Sequence, residues 1–130
     1  MPPVKWPLLN RRPIVELSLG HVIKKRRRRL VADTGGGSDQ SPFELILLEK
    51  DCQHADVVME GQVQLSGRYV GWFNVYSMAI QIPRLKFSHR VLVAGVPEVP
   101  VGFDGIACFK FLNRFHYGNF GDRDHFGFEK

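Results

Sequence analysis

The chain has 130 residues, of which 44% are hydrophobic and 24% charged, and a formal net charge of +5. That size and balance fit one globular domain over 1–130 and exclude a fibrous or wholly disordered chain. No apolar run approaches the roughly 20 residues that span a bilayer, and Leu45 to Leu48 sits between Glu44 and Glu49, so a soluble protein without a membrane partner is expected. Met1 to Leu9 carries three prolines and Lys5 but no apolar stretch of the kind a secretory signal needs, which makes the cytoplasm the expected location. The two cysteines, Cys52 and Cys108, form no CxxC pair; free thiols are expected, with no disulfide framework, metal or cofactor.

In chain order, Pro13 to Leu19 alternates apolar and polar residues from Val15 onward, the period of a half-buried strand. Gly20 and the cationic block Lys24, Lys25, Arg26, Arg27, Arg28 and Arg29 follow. Leu30-Val31-Ala32 then forms a second short strand that runs into Asp33-Thr34-Gly35-Gly36-Gly37. Phe43 to Leu48 is apolar without a break, so periodicity leaves helix and strand both open there.

Residues 57 to 82 read as a long hairpin. Gln62 to Leu65 alternates, Ser66-Gly67 is turn material, and Tyr69 to Ile82 is rich in aromatic and β-branched residues. Gly71 in the second arm predicts a bulge or a close backbone approach, and Pro83 ends it. Val91 to Gly95 is a further strand. Phe111, Leu112 and Phe115 fall on one face of a short helix over 109–115, with Gly118 as its stop, and His125 to Phe128 forms a last strand. Many strands, one short helix and no long repeat define an all-β class.

The chemistry concentrates at Asp33. Asp-Thr-Gly alone is a weak signal, and an aspartate before glycines is a common turn. Here, however, the triplet closes an apolar strand and opens onto further glycines, so a carboxylate is presented at a strand end by a backbone free to turn. Two such carboxylates about 3 Å apart share one proton, because two like charges that close do not both ionise. The ionised member then takes a proton from water as it attacks a carbonyl, and the protonated member hydrogen-bonds the carbonyl oxygen. A phosphate-loop reading fails, since no Gly-Lys-Ser or Gly-Lys-Thr follows the glycines. Asp51 to Asp56 and Asp122 to His125 contain metal-ligand residue types without a zinc or calcium spacing, and solvated loops are expected at both. The cationic block reads as a solvated face that the fold can spare; its concentrated charge also makes nucleic acid or an acidic protein a candidate partner.

Taken with the order of segments, the chain resembles the retropepsin family of dimeric aspartic peptidases. The resemblance rests on a Trp6-containing arm, the strand to Leu19, the Asp33-Thr34-Gly35 loop, a hairpin around Gly67, Val91-Leu92-Val93, and Asp104 to Leu112 before a terminal strand. It implies a closed retropepsin-like barrel with one short C-terminal helix, an obligate homodimer, and endopeptidase activity on peptide or protein substrates. It also implies roles: Asp33 catalytic, Thr34 bracing the loop across the two-fold axis, Gly35 and Gly36 admitting substrate backbone, and Gly67, Tyr69 and Trp72 on a flap. The family carries glycine just before its helix. Here Cys108 falls at that place, or else the element is Val101-Gly102, and Phe109 or Phe103 stands where retroviral enzymes carry a cation. A second reading follows: a catalytically weak or inactive dimeric binding module of the same fold, docking through residues 24–29.

Overall fold

The computed structural model describes residues 2–20, 26–53, 57–65 and 67–130. The expected turn residue Ser66, the cations Lys24 and Lys25, and His54 and Asp56 lie outside them. Among the described residues there are ten strands and one α-helical turn, with 3-10 turns at Glu49–Cys52 and Pro83–Leu85: β1 (Val4–Pro7), β2 (Ile14–Leu19), β3 (Arg26–Ala32), β4 (Leu45–Leu48), β5 (Val58–Leu65), β6 (Gly71–Ile82), β7 (Phe87–Val96), β8 (Gly105–Ala107), α1 (Phe109–Leu112), β9 (His116–Gly118) and β10 (His125–Glu129). The protein is mostly β, as its patterning requires. Strands β2, β3, β8, β4, β7 and β6 are hydrogen-bonded in that order, and β6 returns to β2 through Ser18↔Gln81 and Leu19↔Ile80, closing a six-stranded barrel. Strand β5 hangs on the free side of β6, and β1, β10 and β9 form a separate antiparallel sheet.

Strand β4 shows why periodicity failed over Phe43 to Leu48. Leu45 and Leu47 point into the barrel among Leu17, Leu30, Met78 and Val93, whereas Ile46 points outward into a second apolar cluster with Val31, Ala94 and Ile106. Both faces are buried, so the strand carries no polar alternation. The helix ends after one turn, shorter than 109–115, but Phe111, Leu112 and Phe115 are all buried as its apolar face required. Phe115 stacks on Phe128 at 4.3 Å, and Trp6 meets Phe128 edge-on at 5.5 Å, so the arm, helix and terminal strand pack as one aromatic group. Gly71 begins β6 rather than interrupting it; the irregularity lies in β5, between Met59 and Gly61.

In the cationic block alternate described residues face solvent, as a solvated strand face requires, but Arg28 between them does not. Strand β3 begins inside it, at Arg26, and the period of a strand sends neighbours to opposite sides. Arg27 and Arg29 are exposed and flank Glu16 at 3.3 and 3.4 Å. Arg28 turns the other way and forms a two-pronged bond to Asp51, Nε to Oδ2 at 3.0 Å and Nη2 to Oδ1 at 2.9 Å. Asp51, expected in a solvated loop, lies in the helical turn Glu49–Cys52 and its side chain is only 8% exposed. Arg28→Ser is therefore expected to cost about 2 kcal/mol in a urea titration, since it strips a two-pronged cation from a buried carboxylate. Arg27→Ser should stay within about 0.5 kcal/mol. Equal effects would mean that the two arginines are alike.

Candidate active site

Strand β3 delivers Asp33 at its carboxyl end, where Ala32 pairs in parallel with Ala107 of β8 and the Asp33 N–H donates to the Ala107 carbonyl at 3.0 Å. The chain then folds back under its own carboxylate. The Gly35 N–H donates to Asp33 Oδ1 at 3.0 Å, and the Gly36 N–H to the Asp33 carbonyl at 3.1 Å. A methyl group at position 35 would stand 3.4 Å from Oδ1, and one at 36 would stand 3.5 Å from Oδ2. The glycines thus keep the space around the carboxylate clear. Gly37 takes φ +80°, and a side chain there would strike the Ser41 hydroxyl. That hydroxyl accepts the Ser38 N–H at 2.9 Å, and the Ser41 N–H returns to the Ser38 carbonyl at 3.1 Å, which closes the loop.

Four further contacts lash this loop to the β8–α1 segment. The Phe109 N–H donates to Gly36 O at 3.0 Å, Lys110 Nζ to Ser41 O at 2.9 Å, and the Cys108 N–H to Glu44 O at 3.0 Å. Beyond the helix, the Arg114 guanidinium grips both oxygens of Glu44, at 2.5 and 2.8 Å, and this bond holds the guanidinium pKa above its ordinary value. Ser41, Glu44, Lys110 and Arg114 escaped the sequence reading. For Glu44 a signal existed: a lone acid between Phe43 and Leu45 in an apolar run must find a cation if it is buried.

Cys108 is buried in the outer apolar cluster with Val31 and Ile106, whereas Val101 and Gly102 are exposed. Burial, then the charges of Asp33 and Glu44, pushes the Cys108 thiol up to about 12. Cys52 is likewise pushed up to about 12, by burial and then by Glu49 and Asp51. Both folded values lie above the ordinary 9.0, so both thiols keep their protons in the fold. Neither should react with an aromatic disulfide reagent near pH 8 until denaturant is added. The stability tied to these protons is complete below about pH 9 and is lost as pH climbs towards 12. Rapid labelling of the native protein would contradict this.

Above the loop lies a cleft of about 570 Å³. Its floor is the outer face of the barrel, with Phe43, Ile46, Ile106 and Cys108, and its roof is the far end of the β5–β6 hairpin, with Val63, Leu65 and Tyr69. The roof projects because β6 pairs with β7 only from Val75 onward, leaving Gly71 to Asn74 paired to β5 alone. The cleft brings together Asp33, Gly35, Gly36, Gly67 and Tyr69. Thr34 is exposed and does not line it.

Trp72, expected to cover a ligand here, lies on the other face of the hairpin, 65% exposed, in a separate groove with Glu49, Gln62 and Pro97. Alternation along β6 decides this: Phe73, one residue on, points to the cleft side and meets Tyr69 edge-on at 6.1 Å. Among the described residues no helix is long and apolar enough to cross a membrane. In comparisons with known proteins, no family model, curated protein or solved structure matches the chain significantly.

Proposed function

We propose that this chain is one half of a homodimeric aspartic endopeptidase of the retropepsin type, in which Asp33 from each of two copies holds the attacking water. One observation carries the reading. A carboxylate stands at the end of a barrel strand, on a loop braced from behind, and faces a cleft roofed by a projecting hairpin. Asp33 is the one acid among the described residues lining that cleft. Water activation between carboxyls needs an ionised and a protonated partner together, and a two-fold axis beside Asp33 supplies the second. Exposed Thr34 is then available to brace the paired loops. The competing nucleophile, Cys108, is protonated and buried, and no histidine lines the cleft among the described residues, so thiol catalysis lacks an activated sulfur and a base.

The cleft is also suited to an extended peptide. Its walls are apolar, with a few backbone and side-chain polar groups at Asp33 and along the hairpin, the composition that orients a chain while excluding water. The test is twofold. Sedimentation at micromolar concentration should give about twice 14.9 kDa. A mixed peptide pool incubated with chelator between about pH 3 and pH 8 should yield new termini, with the rate rising and then falling across that range. A monomer that hydrolyses peptides, or turnover that depends on added zinc, overturns the reading.

A further inference from the structure

The roof of the cleft carries two groups that the catalytic reading does not use. Tyr69 is only 9% exposed, and its hydroxyl is buried without a hydrogen-bond partner among the described residues. Its ring packs in the outer apolar cluster with Phe43, Ile106 and Cys108. A phenol hydroxyl in such surroundings is costly, because its lost hydration is not replaced. Arg68, the preceding residue, is exposed at the tip of the hairpin, its guanidinium 5.8 Å from the centre of the Tyr69 ring. Among the described residues it makes no ion pair, and it is the one cation that lines the cleft. Among the described residues, an exposed cation without an ion pair and a buried hydroxyl without an acceptor thus sit side by side over an apolar floor, with Asp33 below.

We propose that the cleft selects peptides with a carboxylate side chain close to the bond held at Asp33, gripped by the Arg68 guanidinium and the Tyr69 hydroxyl. This rests on the peptidase reading and deepens it by naming the substrate class. A planar guanidinium takes a carboxylate through paired N–H bonds, and the phenol supplies a third donor once a ligand lifts the hairpin. The apolar floor then receives the neighbouring side chains. Asp33 repels the same carboxylate, so the acid must lie towards the hairpin tip rather than at the cleaved bond itself.

The experiment uses the native dimer and a randomised octapeptide library, with cleaved and retained peptides sequenced separately. Expected is about tenfold enrichment of Glu or Asp over Gln or Asn at one position near the cleaved bond, the ratio that about 1.4 kcal/mol of selective contact produces. Arg68→Gln should erase the enrichment, and Arg68→Glu should invert it towards Lys and Arg. Tyr69→Phe should raise the urea midpoint of the free protein, since it removes an unsatisfied hydroxyl, yet raise KM for acidic peptides about tenfold with kcat nearly unchanged. A merely structural tyrosine would not move the two readouts in opposite directions. Cleavage without acid preference, or a profile that Arg68→Glu leaves unchanged, overturns this inference and spares the peptidase. Acid-enriched retention without any cleavage overturns the peptidase and spares the acidic subsite, and neither cleavage nor enrichment overturns both.

Discussion

Asp33→Asn is expected to lower peptide turnover by at least about 10³-fold while dimer content and the urea midpoint stay where they were. The geometry separates the two effects. An asparagine Oδ1 still accepts the Gly35 N–H, and the Asp33 backbone bonds to Ala107 and Gly36 do not involve the side chain. The loop therefore keeps its shape. What the proposed mechanism loses is its carboxylate base, because an amide in its place takes no proton from water. On the proposed mechanism, a transition-state mimic with a hydroxyl at the attacked carbon should bind the native protein tightly and the variant weakly. Turnover that survives in Asp33→Asn would remove Asp33 from the chemistry, whatever the dimer does.

Arg114→Met is expected to cost about 3 kcal/mol and to lower Tm by roughly 10 °C, the largest stability effect among the polar contacts around the cleft. The cause is what the substitution leaves behind. The Glu44 side chain is 8% exposed, between Phe43 and Leu45, and its carboxylate would lose both guanidinium bonds. Glu44→Gln together with Arg114→Met should recover part of the loss, because a neutral amide is cheaper to bury than a lone carboxylate. Turnover should fall in the single variant as well, since the Glu44 carbonyl takes the Cys108 N–H and so closes the loop that carries Asp33. An unfolding free energy from urea titration within about 0.5 kcal/mol of native for Arg114→Met would mean that solvent already shares the pair.

The parts of the fold legible in the sequence were those buried on one face. In β2, polar residues at 16 and 18 alternate with buried Leu17 and Leu19, so its period could be read directly. The β5–β6 hairpin was marked by Gly67 and by Pro83 at its end. Strand β4 was not legible, because its two faces meet two different apolar clusters. Strand β7 extends back to Phe87 beyond the recognised Val91 to Gly95, through Ser88, His89 and Arg90, which are exposed and carry no apolar signal. Asp33 was legible because the Asp-Thr-Gly context is local. Its bracing was not, since the contacts run from residues 33–44 to residues 107–114.

By itself the sequence determined the all-β character, the strand that ends at Asp33 and the glycines beneath its carboxylate, all properties of residues within a few positions of one another. Tertiary structure decided what those residues face. Barrel closure through Ser18↔Gln81 and Leu19↔Ile80 placed the hairpin over the Asp33 loop. The register of β6 turned Phe73 towards the cluster that holds Tyr69 and left Trp72 exposed in a separate groove. The turn at Glu49–Cys52 took Arg28 out of the cationic block and gave it a buried partner. In each case the period of a strand limits a side chain to two opposite faces, and only contacts distant in sequence decide which face is the inside.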